Sequence, residues 1–254
     1  MQDFALRAFN YGSITHEYPH IPSQQFIRSS KERLEAIDLK VPPRLRVAYI
    51  KGTDDVQSSL GQLQVDVHAL DPSLVSVVDL SFYSTILIGA GAMANEALAT
   101  GIPALRDFMS KGGGVVVLAG GDEVARSGLL PFPMTFEGEP RAVTDPNAPI
   151  RIVDPTSQLL TWPNAIKPSD FDEWTSERAR NLPAAFDKRY RPVLSTDDPA
   201  ESLSAAPLLV APVGRGTLVF SSLSVDRELN SVHPGAARLF VNLLSAGLRP
   251  GSPR

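Results

Sequence analysis

Residues 112–123 read Gly-Gly-Gly-Val-Val-Val-Leu-Ala-Gly-Gly-Asp-Glu, and this stretch decides the fold. The apolar run Val115–Ala119 has the length and composition of a strand buried on both faces of a parallel sheet. The two glycines and two carboxylates that follow predict a tight turn into the start of a helix. In α/β proteins such a turn, at the carboxyl end of a strand, is where ligands and nucleophiles are placed.

Short apolar runs and helical patterns alternate around this stretch, which predicts right-handed crossovers and a mostly parallel sheet. The predicted strands are Arg46–Ile50, Val65–Leu70, Ser84–Gly89 and Val115–Ala119, and the predicted helices are Val56–Leu63, Asn95–Lys111 and Pro234–Ala246. Two further apolar runs, Leu208–Val213 and Thr217–Ser222, flank a Gly-Arg-Gly turn and predict an antiparallel hairpin. We therefore expect an α/β fold with a flavodoxin-like sheet, helices on both faces and a C-terminal hairpin.

The sequence divides into three predicted parts. Residues 1–43 are irregular and hydrophilic, and we interpret them as an extended N-terminal arm or the remnant of a preceding module. Residues 44–248 form the α/β domain. Its segment 129–206 is rich in proline, aspartate and aromatic residues, with one clear strand at Ile150–Val153, and is interpreted as an irregular insertion over the sheet. Residues 249–254 form a tail.

Composition excludes several classes of function. The chain of 254 residues carries a net charge of −4 with scattered basic residues, so no nucleic-acid partner is expected. No apolar run approaches the roughly 18 residues of a membrane span. The absence of cysteine excludes disulfides, cysteine-ligated zinc and thiol catalysis. The first residues do not resemble a signal peptide, so the protein is expected in the cytoplasm if Met1 is the natural start, and the compartment otherwise stays open.

Several short segments carry a resemblance to a known family. They are Glu17–Ile21, Arg46–Asp55, Thr144–Pro149, Asp170–Trp174, Glu177-Arg178, Gly214–Gly216 and Arg238–Leu244. The order of strand–helix repeats, glycine turn, long insertion, hairpin and final helix resembles the class I glutamine amidotransferase-like fold. Residues from about 14 to 248 resemble, more specifically, the C-terminal region of PIG-L (LmbE-like) deacetylase proteins of bacteria.

The resemblance implies an accessory module, because the deacetylase chemistry of that family lies in another domain with a His-Pro-x-Asp-Asp-Glu type metal motif. This sequence has no such motif: the pair Asp54-Asp55 follows Thr53 and lacks the neighbouring histidine. The implied partner is a PIG-L deacetylase domain or a polar small molecule or glycan, and a homo-oligomer stays open. No cofactor and no metal are expected.

An amidotransferase triad needs a cysteine on the turn after the strand, with a histidine and a glutamate near the C-terminus. The turn would fall at Ala119–Asp122, which contains no thiol or hydroxyl group. His233 and Glu228 correspond only loosely, and at displaced positions, to the histidine and the glutamate of the triad. We therefore predict no catalytic residue and a pseudoenzyme-like domain.

Three other patterns have plain structural interpretations. His16–His20, His-Glu-Tyr-Pro-His, matches a zinc-protease motif literally, but Pro19 opposes the helix that this motif needs, which favours an extended segment. The glycines at 112–114 precede a strand and are typical of a helix-to-strand connection rather than a phosphate loop. The acidic and aromatic residues of Asp170–Trp174 are typical of carbohydrate contact or of the packing of a long loop, and packing is favoured.

The predicted ligand-binding residues lie in loops near the carboxyl ends of strands: Asp54, Asp55, Asn95, Asp122, Glu123, Arg227 and His233. Such loops meet at one edge of a parallel sheet, the usual place for a pocket in this topology. Asp122 and Glu123 also have a simpler role, since carboxylates at a helix start satisfy free N–H groups. Two other functions stay open: a cysteine-independent hydrolase that could use a metal ion, and a structural oligomerisation module.

Overall fold

The computed structural model describes residues 37–54, 56–198 and 205–249, together with the backbone of two strands between residues 11 and 29. None of the described helices is long and apolar enough to cross a membrane.

The chain divides into two compact units, residues 1–36 and residues 37–254. In the first unit, β1 (Tyr11–Tyr18) and β2 (Ile21–Ser29) pair antiparallel where the sequence analysis predicts an irregular arm. Polar residues dominate both strands, so the alternation of apolar and polar positions that marks a strand is weak. His16 lies in a strand, in line with the extended interpretation, and His20 lies outside the described residues.

The described part of the second unit consists of strands and short helices, which alternate only in its first half. The strands are β3 (Arg46–Ile50), β4 (Asp66–Ala69), β5 (Thr85–Ile88), β6 (Gly114–Leu118), β7 (Met134–Thr135), β8 (Ile150–Ile152), β9 (Ala185–Phe186), β10 (Arg191–Thr196), β11 (Ala205–Val213) and β12 (Gly216–Ser221). The α-helices are α1 (Val56–Gln62), α2 (Ile102–Ser110), α3 (Asp122–Arg126), α4 (Gln158–Thr161), α5 (Val225–Asn230) and α6 (Pro234–Leu244).

Within the described residues, one 8-stranded sheet has the order β4-β3-β5-β6-β12-β11-β10-β8, and β7 pairs separately with β9. The strands from β4 to β12 in this order are mutually parallel, and the remaining three continue antiparallel. The parallel part follows the strand order 2-1-3-4-5 of flavodoxin-like sheets. The α/β class and the β11–β12 hairpin are as predicted.

Both faces of the sheet are covered. Successive residues of β3 point to opposite faces: Val47 and Tyr49 belong to the core formed with α1, α4, α5 and α6. Ala48 and Ile50 belong to the core formed with α2 and α3. A strand that is apolar at every position is typical of a sheet with helices on both sides.

Within the described part of the second unit, three predictions differ from the structure. The predicted insertion contributes β8 and β10 to the main sheet. The predicted helix over 95–111 is a 3-10 helix at Glu96–Gly101 followed by α2, because Pro103 lacks an N–H group and its ring clashes with an α-helical preceding turn. Residues 37–43, predicted as the end of the arm, pack on the core through Ile37, Leu39 and Val41.

Candidate ligand-binding cleft

The turn after β6 has the geometry of a strained elbow without a reactive side chain. Ala119 has a φ of 44°, a left-handed conformation that costs an L-residue on the order of 1 kcal/mol. Its N–H donates to the Ser221 carbonyl at 2.7 Å, and its own carbonyl accepts from Asn181 Nδ2 at 2.6 Å. The backbone is thus held from both sides, and the side chain at the elbow is a buried methyl group.

The neighbouring crevice, at the carboxyl ends of β3 and β5, is closed by direct contact between two loops. This is the point where the strand order reverses and where flavodoxin-like proteins bind ligands. Thr53 N–H donates to the Ala90 carbonyl at 2.7 Å. A Cβ atom on Gly52 would lie 2.0 Å from that same carbonyl oxygen, so glycine is what permits this approach.

Asp54 closes the crevice further. The residue is 8% exposed, and its carboxylate accepts hydrogen bonds from the Tyr49 hydroxyl and from the Ala90 N–H. Both oxygens are therefore engaged inside the protein, and we interpret Asp54 as a structural tie between the two loops. Asp55 lies outside the described residues.

A cleft of about 220 Å³ opens one strand further along, where β6 leads into α3; we call it the carboxyl-edge cleft. It is lined by Gly121, Asp122, Glu123, Phe136, Glu137, Gly138, Pro140, Arg141, Asn181 and Leu182. Three carboxylates and one guanidinium give the lining a net negative charge. The Glu123 side chain also accepts from the Gly121 N–H at 2.9 Å, the capping role anticipated for it.

Glu123 also borders a second cavity of about 360 Å³, which contains Asn95 and Arg126. Asn95 Oδ1 accepts from the Ala97 N–H at 3.0 Å and so caps the 3-10 helix that follows. The structure thus places Asp122, Glu123 and Asn95 around the start of α3, on two adjoining cavities.

Arg227 and His233 are engaged elsewhere in the described structure. Arg227 forms an ion pair with Glu177. His233 caps α6: its Nδ1 accepts from the Ala236 N–H at 3.2 Å, and its Nε2 lies 2.8 Å from the Asp172 carbonyl oxygen. Because a carbonyl only accepts, Nε2 carries the proton, and both ring nitrogens serve the fold.

Glu228, the loose counterpart of the triad glutamate, is fully buried. Its Oε1 accepts from the N–H groups of Thr175 and Ser176 at 3.0 and 2.7 Å. It therefore anchors the insertion to α5 rather than orienting a histidine. Phe171 and Trp174 are each 3% exposed, so the aromatic side chains of segment 170–174 are packed, as favoured from the sequence, while Asp172 and Glu173 are exposed.

Sequence reasoning missed the far wall of the cleft. Asn181 lies 62 residues beyond Ala119 in the chain, and Phe136 lies in the stretch predicted to be irregular. The one local signal is the residue type at 181, since asparagine tolerates the positive φ of 52° found there. Among the described residues, no group of three histidine, aspartate or glutamate side chains could hold a metal ion.

Comparison with known proteins gives similarity at the level of the fold. No family model and no curated protein matches the sequence. Two cytoplasmic proteins of Salmonella typhimurium, STM3548 and STM1381, have similar solved structures, with 12% and 13% identity and TM-scores of 0.53 and 0.51. Each alignment covers 92% of this chain and 94% of the other. Agd3, described as a novel carbohydrate deacetylase, overlaps 79% of this chain and 32% of its own at 11% identity, but its TM-score of 0.49 is too low to establish a common fold.

Proposed function

We propose that this chain is a non-catalytic, amidotransferase-like accessory domain of a PIG-L-type deacetylase system, and that it binds a polar, glycan-like ligand in the carboxyl-edge cleft. The observation that carries the proposal is Ala119. It occupies a strained elbow between β6 and α3, the position of the nucleophile in the amidotransferase-like proteins that the sequence resembles, with only a methyl group as side chain.

The contacts of His233 and Glu228 favour a binding role over a hydrolytic one. The two residues that could assist a nucleophile, His233 and Glu228, hold backbone groups by hydrogen bonds at 2.7–3.2 Å. A base that is committed to a helix cap is not positioned to take a proton from a reacting group. The carboxylates that line the cleft at this edge have no nucleophile beside them.

The lining of the cleft favours a hydroxylated ring as ligand. The exposed carboxylates of Asp122 and Glu137 can each accept hydrogen bonds from hydroxyl groups. Phe136 is half-buried, and the centroid of its ring lies 5.8 Å from that of Phe220. The packed ring offers an apolar surface beside the carboxylates. This combination suits a sugar ring, which carries C–H groups on its faces and hydroxyl groups at its rim.

Saturation-transfer difference NMR with neutral hexoses and their amino and N-acetylamino derivatives tests the ligand class. We expect at least one sugar to bind and its spectrum to stay unchanged during prolonged incubation, because the elbow has no nucleophile. Asp122→Asn should weaken binding about tenfold, since a hydrogen bond to a charged acceptor contributes roughly 1.5 kcal/mol or more. Asp38→Asn, which changes an exposed carboxylate outside the cleft, is the matched control and should bind like the parent protein.

Three outcomes would contradict the proposal. Conversion of the sugar would favour the cysteine-independent hydrolase instead. Equal affinity in Asp122→Asn and the parent would place the ligand outside the carboxyl-edge cleft. If no sugar of the panel binds, the proposed class of ligand is wrong, and packing against a partner domain is the role that remains.

The accessory role makes a separate prediction about the gene. We expect a His-Pro-x-Asp-Asp-Glu type motif upstream in the same reading frame or in a neighbouring gene, and the encoded deacetylase domain should co-elute with this chain in size-exclusion chromatography. A genome with no deacetylase gene near this one, or a deacetylase domain that elutes separately, would count against it.

A further inference from the structure

A cavity of about 450 Å³ lies at the amino-terminal edge of the sheet, opposite the carboxyl-edge cleft. Ser84 and Gly113, which precede β5 and β6, form its base at the sheet, and the last turns of α2 form one wall. Gly247 and Leu248, which follow α6, form another. The volume lies in the range of about 300–1,000 Å³ that is usual for small-molecule sites.

The three charged residues of this cavity, two carboxylates and one ammonium group, give its lining a net negative charge. Lys111 Nζ lies 2.6 Å from Asp107 Oδ2, so these two lining residues form an ion pair. The third charged residue, Asp79, accepts from the Ser81 N–H at 3.0 Å. Asp79 is exposed, and the hydrogen bond from the Ser81 side chain, helped by that N–H and by the positive charge of Lys111, lowers its pKa further below neutral pH.

The remaining surface of the cavity is largely apolar. Leu80 and Phe108 are almost fully buried and line it from two sides, and Leu248 is half-buried beside them. The ring of Phe108 packs directly on Gly113, where a Cβ atom would lie 2.3 Å from it. The cavity thus combines an apolar wall with one negative charge.

We propose that this cavity binds a small organic amine, with its ammonium group paired to Asp79 and its apolar body against Leu80, Phe108 and Leu248. An anionic ligand would meet a net negative lining, because Asp107 already neutralises Lys111. A neutral ligand would form no ion pair with Asp79. This site is separate from the carboxyl-edge cleft and does not depend on the sugar-binding proposal.

Isothermal titration with 2-phenylethylamine at neutral pH tests the site on the whole chain. Asp79→Asn keeps an acceptor for the Ser81 N–H and removes only the charge, so affinity should fall about tenfold or more, as expected for a charge-assisted hydrogen bond. Asp71→Asn is the matched control, because Asp71 caps the preceding 3-10 helix in the same way and lies outside the cavity. Its affinity should equal that of the parent.

Two further measurements make the test decisive. Ala104→Leu adds volume to the cavity wall from α2 and should abolish binding while the thermal midpoint is maintained. The matched acid, 3-phenylpropionate, should not bind, and 2-phenylethanol should bind at least about tenfold more weakly than the amine. Absence of amine binding, equal affinity in Asp79→Asn, or equal binding of the acid would each overturn the proposal.

Discussion

Replacing Asn242 with leucine is expected to lower the free energy of unfolding by about 3–5 kcal/mol, since each buried polar group left without a partner costs roughly 1–3 kcal/mol. Asn242 is fully buried in α6. Its Nδ2 donates to the carbonyls of Leu159 and Asn164 at 3.0 and 2.8 Å, and its Oδ1 accepts from the Asn164 N–H at 3.0 Å. Leucine has a similar volume, so the loss comes from three orphaned backbone groups rather than from a cavity.

Urea denaturation with linear extrapolation measures this change. Asn147→Leu is the matched control, because Asn147 is exposed, and we expect its effect to stay within about 0.5 kcal/mol. Asn164 also holds the segment before β3, since its Oδ1 accepts from the Lys40 N–H at 2.8 Å. Amide exchange at Lys40 should therefore accelerate in Asn242→Leu. A loss of less than about 1 kcal/mol in the free energy of unfolding would show that these hydrogen bonds do not stabilise the fold as expected.

The sequence predicts the centre of the sheet well, because its signal is local. β3 has its predicted bounds, Arg46–Ile50, and each end of β6 lies within one residue of the bounds predicted for that strand. Both predictions succeed because each strand is a continuous apolar run between polar or glycine residues. β10 was missed because Arg191-Pro192 interrupts the run, and its pairing with β8 joins segments that are far apart in the chain. A strand defined by its neighbours has no strong pattern of its own.

The candidate site is predictable only on one side. The turn after β6 and its carboxylates are visible as a strand–glycine–acid pattern, and the structure places Asp122 and Glu123 in a cleft. The opposite wall depends on where the long segment after α3 returns, which residue spacing does not encode. The pattern also cannot distinguish a carboxylate that faces a ligand from one that joins two loops, and Asp54 is the clearest example.

Replacing Asp54 with alanine is the second large effect that we expect, a loss of about 2–4 kcal/mol in the free energy of unfolding. The change leaves the buried Tyr49 hydroxyl and the Ala90 N–H without the acceptor that they share. The carboxylate also packs directly on Gly89, where a Cβ atom would lie 2.3 Å from it. Tyr49→Phe should cost less, since it removes one of the two hydrogen bonds.

A double-mutant cycle of Asp54→Ala and Tyr49→Phe separates the hydrogen bond between these two side chains from the other effects of each substitution. We expect a coupling free energy of about 1–3 kcal/mol. Asp66→Ala is the control: its carboxylate is 54% exposed and pairs with His68 on the surface, so its loss should cost at most about 1 kcal/mol. A ligand-binding Asp54 would give the opposite result, with stability preserved and sugar affinity lost. Because both carboxylate oxygens already have donors within the fold, we expect the folded fraction of Asp54→Ala to bind sugar as the parent protein does. An unchanged free energy of unfolding would instead make Asp54 a candidate for ligand binding again.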